Sequence, residues 1–355
     1  MGHFTRTAVA WNNSGSGVDK RNSKERTILL VGGAGYIGSV ITPHLLAGGY
    51  RVRTFDRLLY NNSETILPWL RDPAYEFVWG DMAERGQFLK AIDGVTDIVF
   101  LAGLVGDPIT KAYPSESKAI NDAAYQEAIR AINGCGLDRV IFISTCSNYG
   151  LIEGNQIAAE DFELSPLSLY AQAKVRNEQI LLGLKDSVDY AVTVLRFATA
   201  FGLSPRMRFD LTISEFVREL WLGRELLVYD PDTWRPYCHV QDFAAVIQAV
   251  LEAPRKNVAF EVFNAGGDVN NYTKRMIVDE ILKYLPDAQV KYQEHGSDPR
   301  NYRVDFAKIA RGLDFTPRHS VPDGIGELVQ ALDRHLFDQV DTRRNFHGNY
   351  EIAYP

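Results

Sequence analysis

Short aliphatic runs alternate with longer amphipathic stretches through the first half of this chain. Thr27-Ile28-Leu29-Leu30-Val31 is an unbroken apolar run, the pattern of a strand buried on both faces of a parallel sheet. A helical pattern over 39–47 follows, ended by Gly48-Gly49. Strands are predicted again at 51–55, 75–79, 97–101 and 139–143, with a long amphipathic helix over 114–132. Strands alternating with helices predict an α/β fold, a doubly wound parallel sheet of Rossmann type, with ligands at the carboxyl ends of the strands. Beyond Gly202 the alternation relaxes. Helices are predicted at 213–222, 243–252, 274–285 and 323–336, a strand at 262–266, and irregular chain from 342 onward. This second half reads as a smaller α/β lobe.

The turn after the first strand is Gly32-Gly33-Ala34-Gly35-Tyr36-Ile37-Gly38. Glycines between a strand and a helix let the backbone approach a pyrophosphate, which the helix N-terminus then attracts. A glycine triplet alone is a weak signal. Asp56 ends the second strand, where a carboxylate accepts from both adenine-ribose hydroxyls and repels a 2′-phosphate; this favours NAD. Arg57 beside it is a residue that could hold that phosphate, which keeps NADP open. Asp81, in Gly80-Asp81-Met82, either faces the adenine or caps a helix from Ala83. The fourth strand ends in Leu101-Ala102-Gly103, small enough for a cofactor to lie close, and Asn121 falls inside the long helix.

Tyr170-Ala171-Gln172-Ala173-Lys174 places a phenol and an amine one helical turn apart on the same face. An ammonium there is expected to lower the pKa of the phenol toward working pH and make it a general base for an alcohol. Thr145 ends the fifth strand, where its hydroxyl can donate to the oxygen that Tyr170 deprotonates. Such a Tyr-Lys pair also occurs on solvated helix faces.

The composition is that of a water-soluble globular chain: 355 residues, 46% hydrophobic and 23% charged. The net charge of -7 gives no footprint for nucleic acid or an anionic membrane. Cys135, Cys146 and Cys238 are odd in number and far apart, so they suggest neither a disulfide framework nor a metal site, and they suit a reducing cytoplasm. No apolar run reaches the roughly 18 residues of a membrane span. Residues 1–26 are polar and glycine-rich, lack a signal-peptide core, and are expected to be a disordered tail.

Taken in order, Gly32 to Gly38, Asp56, Asp81-Met82, Ser144-Thr145…Tyr149-Gly150 and Tyr170…Lys174 resemble the extended short-chain dehydrogenase/reductases, more narrowly the nucleotide-sugar epimerases, dehydratases and 4-dehydrogenases. The likeness runs from about Thr27 to about Leu336. Leu195 to Arg208 resembles a subgroup that includes sugar-nucleotide dehydrogenases of heptose pathways. The resemblance implies an NAD-binding domain over 27–200, with a return segment near 232–265, and a nucleotide-sugar lobe over 201–340. It implies NAD as a bound cofactor that takes hydride from the sugar C4. Tyr170 is then the base, Lys174 the nicotinamide-ribose ligand and Thr145 the residue that orients the hydroxyl. It also implies a homodimer built on helices 114–132 and 167–184.

By the same resemblance Arg235 grips the diphosphate of the substrate, Tyr302 matches the last nucleotide-contacting segment, and Asp298 binds the nucleoside ribose. Arg206 and Arg208 form a turn that either holds a substrate anion or pairs with Asp210 or Glu215. His239 reads as structural, Asp242 as the cap of helix 243–252, and Arg303 and Asp305 as packing and capping residues. Dehydratases of the family carry Asp-Glu after the threonine; here Cys146 and Ser147 stand there, which disfavours a 4,6-dehydratase. Thr199 replaces an asparagine of many 4-epimerases, Val105 a lysine of some members, and His295 an arginine of UDP-specific relatives. The expectation is an epimerase acting through a 4-keto sugar. A 4-dehydrogenase that releases the ketone, and a non-catalytic dinucleotide-binding protein, are the alternatives.

Overall fold

The computed structural model describes residues 25–154, 156–296, 298 and 300–354. The expected disordered tail falls mainly on 1–24, outside these residues. Arg26, grouped with that tail in the sequence, is part of the fold: it is buried, its Nε donates to Asp97 Oδ2 at 2.9 Å, and its guanidinium also reaches the Leu251 carbonyl.

Seven strands form one parallel sheet: β1 (Thr27–Val31), β2 (Arg51–Asp56), β3 (Tyr75–Trp79), β4 (Asp97–Phe100), β5 (Arg139–Thr145), β6 (Ala191–Phe197) and β7 (Glu261–Ala265). Their spatial order is β7-β6-β5-β4-β1-β2-β3. The order reverses between β1 and β4, so the connections leave in opposite directions there and open a crevice above the strand ends. Val31 is in register with Phe55 on one side and Phe100 on the other. The aliphatic runs are explained by burial: β4 and β6 are buried at every position, because helices cover both faces of the sheet. One face packs Ile41 and Leu45 with Val246, Ile247 and Val250; the other packs Phe88, Tyr125, Ile129 and Leu181.

The rest of the chain builds a lobe over the carboxyl ends of the strands. Its core gathers around helices Thr212–Trp221, Lys274–Leu282 and Val321–Asp333. A three-stranded sheet (Asn271–Thr273, Trp234–His239, Thr199–Phe201) ties it to the strand ends. Among the described residues no helix is long and apolar enough to cross a membrane.

Two local expectations change. The helix predicted from 243 begins at Val240 and is capped by His239, whose Nδ1 accepts from the Gln241 amide at 3.2 Å. Asp242 lies inside its first turn, fully buried, and accepts from the amides of Arg318 and His319. A carboxylate near a helix start serves as a cap only when the chain turns at that residue, and here it turns three residues earlier. The long helix over 114–131 is also not uniform, since 119–124 is a π-helical turn that contains Asn121.

Removing Arg26 leaves Asp97 buried without its main counter-charge. Arg26→Ala is expected to lower the unfolding free energy by about 3 kcal/mol, read from urea denaturation; a change below about 0.5 kcal/mol would contradict the ion pair's structural role.

Candidate active site

The crevice above β1 and β4 is a cavity of about 430 Å³. At its base, the turn after β1 fits a backbone that must pass close to a ligand. Gly32 has φ +85°, and a Cβ there would lie 2.6 Å from the Ala102 backbone. A Cβ on Gly38 would lie 2.5 Å from Gly33, so only glycine lets the helix Gly38–Ala47 start against the turn. Among the described residues no side chain caps that helix, and its N-terminal residues line the cavity.

Asp56 lines the next part of the wall. Its oxygens accept from the amides of Ala34 (3.0 Å) and Leu58 (2.7 Å). Burial pushes its carboxyl up, and those two amides oppose the shift. Arg57 pairs with Asp81 and lies over the Tyr354 ring at 4.6 Å. Asp81 Oδ1 accepts from Ala83 at 2.9 Å, although the helix itself starts at Arg85.

Helix Leu169–Leu182 crosses the ends of β5 and β6. Ser168 Oγ caps it by accepting from Ala171 at 3.2 Å, and the buried Ala171 and Ala173 let it lie close to the sheet. Tyr170, half-buried, and Lys174, buried, line the cavity with Thr145. Lys174 Nζ donates to the Ile143 carbonyl at 2.8 Å and lies 4.7 Å from the Phe142 ring centroid and 5.7 Å from that of Tyr170. Thr145 Oγ1 accepts from the Ser147 amide at 3.1 Å.

The electrostatics correct one expectation. The phenol of Tyr170 is raised above its ordinary pKa, because burial outweighs the opposing charge of Arg208, and Asp107 adds to the rise. Lys174 does not offset that rise: burial drops its amine to about 7, against the opposing pull of Glu178.

The expected site residues Gly32, Gly35, Tyr36, Ile37, Gly38, Asp56, Asp81, Met82, Leu101, Ala102, Gly103, Thr145, Tyr170, Lys174, Thr199, Arg206, Arg208, Arg235, Asp298 and Tyr302 all line this cavity. Asn121 does not; its amide exchanges hydrogen bonds with the Leu104 backbone at 2.9 Å each way and so braces the loop after β4. Arg208 forms a two-pronged pair with Asp210, one of its two expected roles. Arg235, buried, stacks on Tyr302 at 5.1 Å and pairs with Asp298 at 3.1 Å. Burial would raise the Asp298 carboxyl, but Arg300 and Arg235 hold it well below the usual range. Sequence reasoning missed Arg300, which bridges Asp298 (2.7 Å) and Asp107 (2.8 Å) across the cavity, though it stands only two residues from Asp298. It also missed Asn349 and Tyr354, cavity residues in a stretch with no periodic signal.

This donor set fits NAD: a glycine turn open at a helix N-terminus, a carboxylate at the tip of β2, and an amine beside the proposed base. The depressed Lys174 gives a stability signature. Between pH 7 and 10.5 the unfolded chain binds a proton there that the folded chain releases, so stability rises with pH across that window. Relative to Lys174→Met, the wild type should gain unfolding free energy from pH 7 to pH 10 in paired urea titrations; a constant difference would contradict the assignment.

The NAD dependent epimerase/dehydratase family matches residues 28–266. A dTDP-glucose 4,6-dehydratase from an Actinoplanes species is 28% identical over 315 residues, spanning 85% of this chain and 96% of its own. A UDP-glucose 4-epimerase from Bacillus subtilis is 27% identical over 309 residues, 80% of this chain and 89% of its own. The solved structure of DesIV, a dTDP-glucose 4,6-dehydratase from Streptomyces venezuelae with NAD bound, superposes with a TM-score of 0.78 at 27% identity, covering 87% of this chain and 97% of that one. This chain therefore belongs to the NAD dependent epimerase/dehydratase family, the nucleotide-sugar branch of the extended short-chain dehydrogenase/reductases.

Proposed function

We propose that this protein is an NAD-dependent nucleoside diphosphate sugar epimerase that works through a transient 4-keto sugar, with Tyr170 as the base. The observation that carries the reading is the pairing of Tyr170, Lys174 and Thr145 on one cavity wall with the absence of a carboxylate at 146 and 147. Dehydration needs an acid and a base at those positions. Here Cys146 is buried, its thiol is pushed up by that burial, and its Sγ donates to the Arg196 carbonyl at 3.0 Å. Ser147 instead meets the Tyr302 hydroxyl at 3.2 Å.

When bound, NAD supplies removal and return of hydride at the carbinol carbon, and its oxidised ring adds a positive charge that opposes the upward shift of Tyr170. Tyr170 removes the hydroxyl proton and later returns one to the ketone oxygen. Thr145 orients that oxygen. Lys174, anchored on the Ile143 carbonyl, fixes the distance between the helix and the end of β5. Arg235, Arg300 and Lys274 face the diphosphate of the substrate from the lobe, with Asp298 and Asp107 setting the positions of the two guanidiniums. Arg208, close enough to Tyr170 to affect its titration, faces the sugar.

Tyr170→Phe should cut kcat by about two to four orders of magnitude while leaving bound NAD in place, measured by single-turnover kinetics and nucleotide content. A variant at full rate would remove Tyr170 from the mechanism. Incubating the protein with UDP- and dTDP-sugars and no added NAD should give many turnovers to an isomeric sugar. A stoichiometric ketone with NADH retained on the protein would instead identify a 4-dehydrogenase.

A further inference from the structure

Residues 342–354 contain neither helix nor strand, yet they are fastened across the mouth of the crevice. Arg343 pairs with both oxygens of Glu64 (3.1 and 2.8 Å), in the connection after β2. The His347 carbonyl accepts from the Phe209 amide at 2.8 Å. Asn349 Nδ2 donates to the Val105 carbonyl at 2.9 Å, in the connection after β4. Arg57 lies over the Tyr354 ring. The segment thus bridges the two loops that flank the switch point, and Asn349 and Tyr354 line the cavity.

The same segment grips Arg206. Its Nη2 donates to Asn349 Oδ1 at 2.8 Å and to the carbonyls of Asn345 and Gly348 at 3.3 Å each. The side chain is 2% exposed, its Nε is buried with no hydrogen-bond partner, and among the described residues it pairs with no carboxylate. A buried guanidinium with an open donor and no carboxylate in contact, only the more distant charges of Asp210 and Asp56, is costly unless an anion completes it. Its position indicates which anion. The loop that carries it is docked on the glycine turn: Ser204 Oγ donates to the Tyr36 carbonyl at 2.7 Å and accepts from the Arg206 amide at 3.2 Å. The guanidinium lies over the Tyr60 ring at 4.2 Å, within electrostatic reach of Arg208, Asp210 and Asp56. Asp56 marks the adenosine end of the crevice, and Arg208 is within electrostatic reach of Tyr170 at the reacting end. The charged middle of a dinucleotide is its diphosphate.

We propose that Arg206, held by Asn349, is a ligand of the cofactor diphosphate rather than of the sugar nucleotide, and that Tyr354 completes the adenine end, so that residues 342–354 form the outer wall of the dinucleotide site. This rests on the chain holding NAD and not on the epimerase reading, so nucleotide binding tests it separately from turnover.

The experiment titrates nucleotide-stripped full-length protein with ADP-ribose, which keeps the diphosphate, and with adenosine, which lacks it. Arg206→Gln and Asn349→Asp should each weaken ADP-ribose at least about tenfold and leave adenosine within about twofold. Asn349→Asp keeps an acceptor for Arg206 and neutralises the guanidinium, at the loss of the donation to the Val105 carbonyl. Arg206→Lys should retain most of the binding, and Tyr354→Ala should weaken both probes. Thermal melts without nucleotide confirm that each variant folds. Unchanged ADP-ribose affinity in Arg206→Gln and Asn349→Asp overturns the assignment, and a loss of sugar-nucleotide affinity instead gives Arg206 to the substrate. Equal loss of both probes in those two variants would make the segment merely structural and also overturn it. Full affinity for both probes in Tyr354→Ala removes that residue from the site.

Discussion

The position of the proposed base depends on one buried carboxylate. Glu178 accepts from Arg196 Nη2 at 2.8 Å, from Asn148 at 2.8 Å, and from the Ser144 hydroxyl. Ser144 belongs to β5 and Arg196 to β6, so a single side chain binds helix Leu169–Leu182 to two adjacent strand ends. Tyr170, Lys174 and Glu178 follow at four-residue spacing and share a face. Fixing Glu178 therefore fixes the rotation and depth of the whole helix, with Lys174 over the end of β5 and Tyr170 at the cavity wall. Burying an ion pair contributes little net stability, but it penalises any arrangement that leaves one partner alone. A site whose atoms must meet a substrate closely benefits from that intolerance.

Burial then sets the chemistry. The same enclosure that orders Tyr170 and Lys174 makes the phenol harder to ionise and the ammonium easier to discharge. Both effects follow from the cost of charge in a poorly solvated place, and both run against the picture of a cationic lysine activating a tyrosine. Positive charge near the phenol comes from Arg208, which Asp210 partly neutralises. At the lobe end, Arg235 and Arg300 alternate with Asp298 and Asp107, so two cations are held extended across the cavity by two anions. Guanidiniums fixed in this way would lose little side-chain freedom on meeting the diphosphate proposed for this site.

The sheet was legible in the sequence because its strands are buried on both faces and so are written as unbroken apolar runs. The glycine turn and the Tyr170–Lys174 spacing were legible because each is a local pattern with a local geometric meaning. What escaped depends on contacts distant in sequence. The sign of the Tyr170 shift is a property of enclosure, which no spacing records. Asn121 looked like a cofactor residue, but its amide faces the Leu104 backbone, a pairing that exists only because the loop after β4 folds onto the helix. The capping role moved from Asp242 to His239 because the strand runs directly into the helix, and either residue type could have served. Asn349 and Tyr354 lie in aperiodic chain that reaches the crevice only through tertiary contacts.

In the proposed mechanism Tyr170 takes the proton from a sugar hydroxyl while hydride leaves the same carbon and returns to it within one binding event. A nucleotide sugar deuterated at C4, turned over without added NAD and analysed by mass spectrometry, tests this most directly. The account predicts an isomeric product that retains the deuterium at C4, with none in the solvent or in free nucleotide. Loss of the label to solvent, or its appearance in released NADH, would contradict it.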